Sequence, residues 1–412
     1  MTGVQNKPLW SVASETRRQV EPSLLGESVV HYSIPSVDAY GIGQVECTVD
    51  IHSAKLLLRG GEVLISKLNP RKSRVVIVRR DDLPVVSSTE FIGLQAGPHL
   101  EDRFLAYFLQ SEAVRQNLDA RVQSVTRSHQ RVAPEDVLHL HIDLPGLGEQ
   151  RRIADFLDAE TSRIDRLVAL QSAVASKLRD REVVQRDAAI DRLIESEGVA
   201  PLRRFVWSVD QGSSPQCDST PAAEGEWGVL KVSCLRPGIF NPGENKRLPD
   251  DVEPNRRSEV RAGDLLITRA NTPQLVGSTA VVDSVRSRLL LPDKIFRVRL
   301  TARMSPQYVA EVAAGTRVRA LCAASSNGAS QSMANIRFEE VKAWPIPVVD
   351  LQEQERFVRE MSRGRELLSS LHDAVDRQLR LLNERRQALI TAAITGQFDV
   401  TTASGRNLTQ GV

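Results

Sequence analysis

The residues whose types and spacing suggest chemistry are few, and each group falls short of an enzyme motif. Gly41-Ile42-Gly43 is a lone Gly-x-Gly without the other glycines of a phosphate-binding loop. Asn241-Pro242-Gly243-Glu244 lacks the second proline and the aromatic residue that an adenine methyltransferase uses against a flipped base, so we interpret it as a turn. Asp293-Lys294 has no second Glu-x-Lys to complete a nuclease site. His139 and His141, in a strand-like run, have no further ligand at metal-binding spacing. The sequence therefore predicts no catalytic residue and no metal site.

Positive charge is concentrated in two stretches of the chain. Residues 55–80 contain eight bases and one acid, and residues 256–299 contain nine bases and four acids. The whole chain has 54 bases, 52 acids and a formal net charge of +2, so only the local charge can indicate a nucleic-acid partner. Such stretches bind phosphates by releasing counterions, which gives affinity without sequence information.

Polar side chains suited to reading base edges lie near both basic stretches. Arg and Lys recognise guanine, and Asn and Gln recognise adenine, through paired hydrogen bonds in the major groove. The alternative is that these positions are ordinary solvated loop residues. The candidate DNA-binding residues are Lys67, Asn69, Arg71, Lys72, Arg74, Arg127, His129, Gln130, Arg269, Asn271, Gln331 and Ser332.

The elements that carry these residues occur twice in the chain. Glu149-Gln150 recurs as Glu353-Gln354, 204 positions later, and Glu135-Asp136-Val137 recurs as Glu339-Glu340-Val341 at the same offset. Residues 59–69 resemble residues 261–271 at an offset of 202. In both copies a Gly-acid turn precedes a short apolar strand that ends in a base and an Asn. An internal repeat of about half the chain length is therefore predicted.

Each Glu-Gln pair begins a long segment with no proline and, apart from Gly364, no glycine. Apolar residues recur there with alternating spacings of three and four, with polar interruptions, which predicts two helices that pair with each other as a coiled coil. Gly198 and Gly396 are predicted to end the two helices. The predicted seam residues are Ile153, Leu157, Ile164, Leu167, Leu178, Phe357, Met361, Leu368, Leu371 and Leu382.

The predicted fold class is α+β, with two mixed α/β globular halves and two long helices that form an antiparallel coiled coil. Short β-branched runs punctuated by Pro, Gly, Ser and Asn predict irregular sheets with long loops in both halves. The predicted boundaries are a first globular half at 1–148, a central helix at 149–197, a second globular half at 198–350, a second helix at 351–396 and a disordered tail at 397–412.

Composition limits the cellular setting. The four cysteines are far apart and form no Cys-x-x-Cys pair, as expected of a reduced protein of the cytoplasm. No apolar run is long enough for a membrane span, and residues 1–10 have no signal-peptide core, so no membrane association is expected.

The ends of both globular halves resemble a known family. Leu144-Pro145-Gly146-Leu147-Gly148-Glu149-Gln150-Arg151-Arg152-Ile153-Ala154 is similar to the Leu-Pro-Pro-Leu-x-Glu-Gln-x-x-Ile-Ala element of type I restriction–modification specificity subunits. Residues 346–354 carry the same element, and residues 385–396 are similar to the C-terminal helix end of that family. Gly146 replaces the second proline of the family, and the second copy has no Pro-Pro.

This resemblance implies a prokaryotic, cytoplasmic, non-catalytic subunit. Each globular half would be a target-recognition domain that reads one half of a bipartite site in double-stranded DNA. The helices would set the spacing between the half-sites and dock two methyltransferase subunits, and restriction–translocase subunits could join the complex. No cofactor is expected in this chain, because S-adenosylmethionine, and ATP and Mg²⁺ for restriction, would be held by the partner subunits.

Two other classes of function remain open from the residues alone. One is a DNA methyltransferase or nuclease fused to a DNA-reading module, which the missing motifs disfavour. The other is a coiled-coil scaffold that never contacts DNA, which the two basic stretches disfavour.

Overall fold

The computed structural model describes residues 4–122, 130–325, 334–398 and 400. Tertiary contacts divide the chain into two compact units, and each is described by itself. The first unit comprises Met1–Ser172 and Asp376–Val412, and the second comprises Ala173–Val375. Each unit therefore joins one globular half to a part of each long helix.

Nine helices and twenty-four strands are assigned within the described ranges. The helices are α1 (Ile34–Tyr40), α2 (Asp102–Gln110), α3 (Glu112–Ala120), α4 (Pro134–Leu138), α5 (Leu147–Glu197), α6 (Pro306–Ala313), α7 (Thr316–Ser325), α8 (Phe338–Lys342) and α9 (Leu351–Ile394). The strands of the first unit are β1 (Gln5–Pro8), β2 (Ala13–Thr16), β3 (Gln19–Val20), β4 (Ser28–Tyr32), β5 (Gln44–Cys47), β6 (Lys55–Leu58), β7 (Val63–Ser66), β8 (Val75–Ile77), β9 (Val85–Ser87), β10 (Phe91–Ala96) and β11 (His141–Leu144). The strands of the second unit are β12 (Val199–Pro201), β13 (Val206–Gln211), β14 (Gly228–Leu230), β15 (Leu235–Arg236), β16 (Ile239–Phe240), β17 (Asn245–Arg247), β18 (Leu265–Thr268), β19 (Ala270–Asn271), β20 (Thr279–Val281), β21 (Leu289–Leu290), β22 (Ile295–Leu300), β23 (Ala334–Asn335) and β24 (Pro345–Pro347).

The first unit contains two main sheets. One is antiparallel throughout with the order β2-β10-β7-β8, and the other has the order β3-β6-β9-β4-β5 with β4 and β9 parallel. The apolar face of α2, with Phe104 and Leu105 fully buried, packs in one core cluster with Ile65 and Leu94 of the first sheet. A short ladder of β1 with β11 leads the chain into α5.

The second unit has the same antiparallel sheet and the same short ladder before its long helix, but its additional sheet is different. Its antiparallel sheet has the order β13-β22-β18-β20, which is the order of the equivalent strands β2-β10-β7-β8, and β12 pairs with β24 as β1 does with β11. The small sheet β17-β14-β21 has no counterpart of the same order among the described residues of the first unit. Helices α6, α7, α8 and α9 begin 204 positions after α2, α3, α4 and α5. The predicted internal repeat is confirmed.

The Gly-acid turns occur as predicted. The Glu62 carboxylate accepts hydrogen bonds from the backbone N–H groups of Arg59 and Gly60, and the Asp264 carboxylate accepts one from Arg261. Gly61 and Gly263 have φ values of +96° and +89°, which residues with a side chain rarely adopt. Each turn directs the chain into a buried strand, β7 or β18.

Within each unit the two long helices run antiparallel. In the first, Arg386 of α9 lies 3.4 Å from Asp165 of α5, while Ile390 shares a core cluster with Leu157, nearer the start of α5. In the second unit Arg192 pairs with Glu360 at 3.2 Å and Glu182 with Arg365 at 3.9 Å, so rising numbers on α5 again meet falling numbers on α9.

Burial is uneven along the predicted seam. Ile153, Leu157, Ile164, Phe357 and Leu368 are buried, and Leu178, Met361 and Leu382 are half-buried. The predictions for Leu167 and Leu371 are wrong, because both side chains are 43% exposed. A second row of buried or half-buried residues lies four positions after the row that contains Leu157 and Met361. Thr161 and Ala175 in it are buried, and the half-buried members are Val168, Glu182, Arg365, His372, Leu379 and Arg386.

Three further predictions need correction or lie outside the described residues. The tail does not begin at residue 397, because Phe398 stacks on Phe156 with ring centroids 5.5 Å apart and Val400 is buried in the core of the first unit. Residues 401–412 lie outside the described residues. The strand-like run around His139 begins as α4, and only His141–Leu144 form a strand.

Candidate nucleic-acid interface

The first candidate loop follows β7 and is tied to the segment before α4. Lys67 donates from Nζ to the carbonyl of Thr89 at 2.9 Å, so its ammonium group already has a protein acceptor. Leu68 forms a β-bridge with Arg131, and the backbone N–H of Asn69 donates to the carbonyl of Gln130. The loop and the segment around residue 130 therefore form one surface, which brings Lys67, Asn69 and Gln130 together.

Asn69 begins a turn that has left-handed backbone at both ends. Asn69 and Ser73 have φ values of +52° and +46°, in the left-handed region that disfavours residues other than Gly and Asn. Their side-chain oxygens, Asn69 Oδ1 and Ser73 Oγ, are buried and have no hydrogen-bond partner within the described ranges. The 3₁₀ turn Pro70–Lys72 between them exposes Arg71 and Lys72. Such unpaired groups in left-handed backbone are typical of functional loops.

Arg74 holds this turn in place and is not a solvated base. Its guanidinium donates to both carboxylate oxygens of Asp38, at 2.5 and 2.8 Å, and to the carbonyl of Leu68. The hydrogen bond from Arg74 lowers the pKa of Asp38 below the usual value for Asp. Because its side chain is only 7% exposed, Arg74 positions the loop rather than presenting charge to a ligand.

The equivalent loop of the second unit has the same architecture with different side-chain contacts. Arg269 is exposed, its backbone N–H donates to the carbonyl of Lys294, and its own carbonyl accepts from Ile336. Asn271 pairs with Ala334 in the β19–β23 ladder, and its Oδ1 accepts the N–H of Thr272 at 2.8 Å. The structure thus brings Arg269 and Asn271 together on one loop. Of the remaining candidates, Arg127, His129, Gln331 and Ser332 lie outside the described residues.

Charge counting overstated the exposed charge of both basic stretches. Lys55 is buried and donates to the carbonyl and hydroxyl of Ser53, and burial lowers the pKa of its ammonium group. Arg286 donates to the carbonyl oxygens of Glu226 and Ala222. Arg297 is only 4% exposed. The bases of the first stretch that remain exposed are Arg59, Arg71, Lys72, Arg79 and Arg80.

The Asn241–Glu244 motif and His139 make hydrogen bonds within their own segments. Asn241 Oδ1 accepts the N–H of Gly243 at 3.0 Å, which confirms the predicted turn. His139 Nδ1 lies 2.8 Å from the carbonyl oxygen of Glu135. Among the described residues, no group of three or more His, Cys, Asp or Glu side chains is placed to hold a metal ion. No helix in the described ranges is long and apolar enough to cross a membrane.

The most informative structural residues are the two glutamines of the repeated Glu-Gln pair. Gln150 is fully buried, donates to the carbonyls of Pro145 and His99, and accepts the N–H of Glu101. Gln354 does the same with Val349, Arg303 and Ser305, each 204 positions later. These buried hydrogen bonds explain why glutamine recurs at the start of both long helices.

A second pair of equivalent positions was missed because the residue types differ. Tyr107 donates to Asp158 at 2.7 Å and lies 3.1 Å from the hydroxyl of Thr161, and burial raises its pKa well above the usual range for Tyr. Its equivalent in the second unit is Glu311, which is 6% exposed and ion-paired with Arg186 and Arg365. The two globular halves therefore contact their helices through different polar clusters.

These features define a class of two-unit repeat proteins, in which each unit joins a mixed α/β half to part of an antiparallel helix pair. Among solved structures, a chain from a study of complex assembly and conformational transition of the type I R-M system has this fold. It matches with a TM-score of 0.71 at 19% identity, and the match covers 97% of this chain and 99% of that chain.

Curated proteins give a more specific likeness. The chain is 33% identical over 147 residues to the type I restriction enzyme EcoEI specificity subunit of Escherichia coli, covering 35% of this chain and 25% of that protein. It is 23% identical over 308 residues to the EcoKI specificity subunit of Escherichia coli strain K12, covering 72% of this chain and 65% of that protein. The matched regions thus cover a quarter of the EcoEI subunit and less than two thirds of the EcoKI subunit. No family model matches the chain. The predicted resemblance to type I restriction-enzyme specificity subunits is confirmed.

Proposed function

We propose that the chain is the DNA-sequence-recognition subunit of a type I restriction–modification complex and catalyses no reaction itself. Each globular half, at 1–148 and 198–350, reads one half of a bipartite site in double-stranded DNA. The observation that carries this proposal is the recurrence of one polar loop, after β7 in the first unit and at β19 in the second. Two equivalent readers on one chain fit a target with two specified parts.

The helices support the second part of the proposal, the docking of two methyltransferase subunits. Leu167 and Leu170 of α5 are 43% and 58% exposed, and Leu367 and Leu371 of α9 are 65% and 43% exposed. Spacings of three and four place the residues of each pair on one helix face. Apolar side chains on an otherwise charged helix are typical of a surface that another protein covers.

The chemistry then belongs to the partners. The methyltransferase subunits supply S-adenosylmethionine, and restriction–translocase subunits, where they join, supply the use of ATP and Mg²⁺. The complex works in the cytoplasm of a prokaryote. This chain recognises the target sequence on the DNA, and the helix pair fixes the separation of the two half-sites.

The test is to map methylated sites after assembly of the chain with its methyltransferase subunits. Arg269→Ala with Asn271→Ala should relax specificity only at the half-site read by residues 198–350, by roughly 1–3 kcal/mol for each bidentate hydrogen-bond pair removed. Deleting one heptad from both helices should change the spacing and preserve both half-sites. A change confined to 198–350 that alters both half-sites would refute the two-reader model.

Two measurements separate the alternative functions. Turnover of labelled methyl donor or cleavage of DNA by the purified chain alone, abolished by a point substitution within it, would establish an enzyme. Failure of the assembled complex to retain DNA at any salt concentration would establish a scaffold.

A further inference from the structure

The second globular half contains an arginine-lined cavity of about 410 Å³ that the base-reading loop does not use. It lies between strands β13 and β22 and the segment Asn255–Asp264 that leads into β18. Five arginines and three acids line it, so its lining is net positive.

The floor of the cavity is Arg297, and its donors are used internally. Nε and Nη2 donate to Asp210 at 3.2 and 3.1 Å, and Nη1 lies 3.4 Å from Asp264. The carbonyls of Glu259 and Arg257 accept the remaining donors at 2.8 and 2.9 Å. A guanidinium has five N–H donors in a fixed plane, and all are engaged here. Arg297 is therefore a framework that neutralises two acids and fixes the backbone of the rim.

The third acid also has an internal partner. Glu259 Oε1 accepts the backbone N–H of Arg288 at 2.7 Å. By contrast, the guanidinium groups of Arg257 and Arg261 have no hydrogen-bond or ion-pair partner in the part of the chain that the structure describes, and both residues are exposed. Arg299 makes only a 3.7 Å contact with Asp210. The acids are thus satisfied from within, and the positive charge of the rim faces the cavity and solvent.

The first globular half has no such site among its described residues. Gly93 of β10 occupies the position of Arg297, because it pairs with Leu64 as Arg297 pairs with Leu266. A Cβ atom on Gly93 would lie 3.2 Å from Leu56 Cδ2 and 3.3 Å from Thr16 Cβ, so neighbouring side chains leave no room for a larger residue at this position. The framework arginine therefore belongs to the second half alone.

We propose that this cavity binds a backbone phosphate of DNA through Arg257 and Arg261, with Arg297 as the positioning residue. The proposal rests on the proposed function and adds that the two halves contribute unequally to sequence-independent affinity. Guanidinium groups bind phosphate oxygens through paired, charge-assisted hydrogen bonds, and a phosphodiester group is small enough for the cavity. Base contacts remain with the loop that carries Arg269 and Asn271.

The test uses the complete complex with Arg257→Gln and Arg261→Gln together, on cognate and unrelated duplexes over a range of salt concentrations. The slope of log affinity against log salt should fall by about 1 for each phosphate that the complex no longer binds, and both duplexes should be weakened equally. The matched control is Arg203→Gln with Arg204→Gln, an exposed pair in the 3₁₀ turn Leu202–Arg204 of the same unit, and it should keep the wild-type slope.

Arg297→Met tests the framework, because it leaves every rim arginine in place but frees two carboxylates in the cavity. It should reduce the salt slope like the rim variant. A wild-type slope in the rim variant, a weakening restricted to cognate DNA, or an equal weakening in the control pair would overturn the site.

A second probe keeps the site testable if the proposed function fails. If the wild-type complex binds no DNA, inorganic phosphate is titrated calorimetrically into wild-type chain and the rim variant. Binding by the wild type alone would support the cavity and refute only the DNA-reading role. Equal binding, or none by either, would overturn the cavity as a phosphate site.

Discussion

Replacing either buried glutamine of the Glu-Gln pair by methionine should destabilise only the unit that contains it. Gln150 and Gln354 are fully buried and lie at the start of the two long helices. Each makes three hydrogen bonds to backbone groups of its own globular half. Methionine has a similar volume and chain length, so the packing is retained while the hydrogen bonds are removed.

The expected magnitude follows from the groups left behind. Each substitution removes the partner of two carbonyls and one N–H in part-buried hydrogen bonds, and an unsatisfied buried group costs about 1–3 kcal/mol. Partial relaxation brings the expected decrease to roughly 3–6 kcal/mol of the free energy of unfolding of that unit, which is a large part of a typical domain stability of about 5–15 kcal/mol.

Hydrogen exchange measures both the size and the location of the effect. Gln354→Met should accelerate exchange at the Ser305 amide and leave the Glu101 amide protected, and Gln150→Met should do the reverse. Gln352→Met, an exposed position on the first turn of α9, is the matched control and should change neither. A decrease below about 1 kcal/mol, well under the cost of three unsatisfied groups, or equal acceleration at both amides, would refute the proposed anchoring role.

Three more predictions concern single contacts. Arg74→Ala should lower the free energy of unfolding at neutral pH, and the difference from wild type should shrink as acid protonates Asp38. A carboxyl whose pKa is lowered in the folded state stabilises the fold above its unfolded pKa, near 3.9, and loses that contribution as the pH falls through its folded pKa. Denaturation at several pH values checks this. Leu167→Asp should change the melting temperature little but weaken methyltransferase binding in pull-down titrations, because the side chain is 43% exposed. Glu311→Gln should cost about 3 kcal/mol in urea denaturation, because Arg186 and Arg365 would then share the single remaining carboxylate of Glu182, whereas Tyr107→Phe should cost about 1 kcal/mol, the value of one hydrogen bond.

The repeat made most of the architecture predictable from the sequence. Two motif pairs at an offset of 204 predicted two equivalent halves and two long helices, and α5 and α9 begin at positions that differ by 204. The helix starts and the Gly-acid turns depend on local residues, which a sequence displays directly. The sheet order could not be predicted, because strand pairing depends on contacts between distant segments.

The side of the helix seam was not predictable from apolarity alone. Leu167 is more apolar than Thr161, yet Thr161 is buried and Leu167 exposed, and His372 is half-buried beside the exposed Leu371. A helix that packs only on another helix buries its most apolar stripe. Here the globular half also covers each helix, as the hydrogen bond between Tyr107 and Thr161 shows, and that third surface rotates the buried stripe by one position.

The candidate DNA residues show the same limit for charge. A sequence counts Arg74, Arg297 and Arg261 alike, although the first two are bound to carboxylates of their own fold. Only the structure identifies which guanidinium groups already donate to the protein. Counting bases identifies two stretches rich in Arg and Lys, but it does not show which of their side chains are available to a ligand.

The two unlike polar clusters bear on why one chain carries both halves. Tyr107 and Glu311 occupy equivalent positions, yet one is matched to Asp158 and Thr161 and the other to Arg186 and Arg365. A helix segment carrying Arg186, placed against the first half, would meet Tyr107 in place of Glu311 and keep only the Glu182 carboxylate of its own helix, which leaves the buried guanidinium less well compensated. The repeat therefore keeps the backbone plan of each junction while its side chains select one helix segment for each half. Under the proposed function, in which the helices set the distance between two DNA-reading halves, that selection favours a single register.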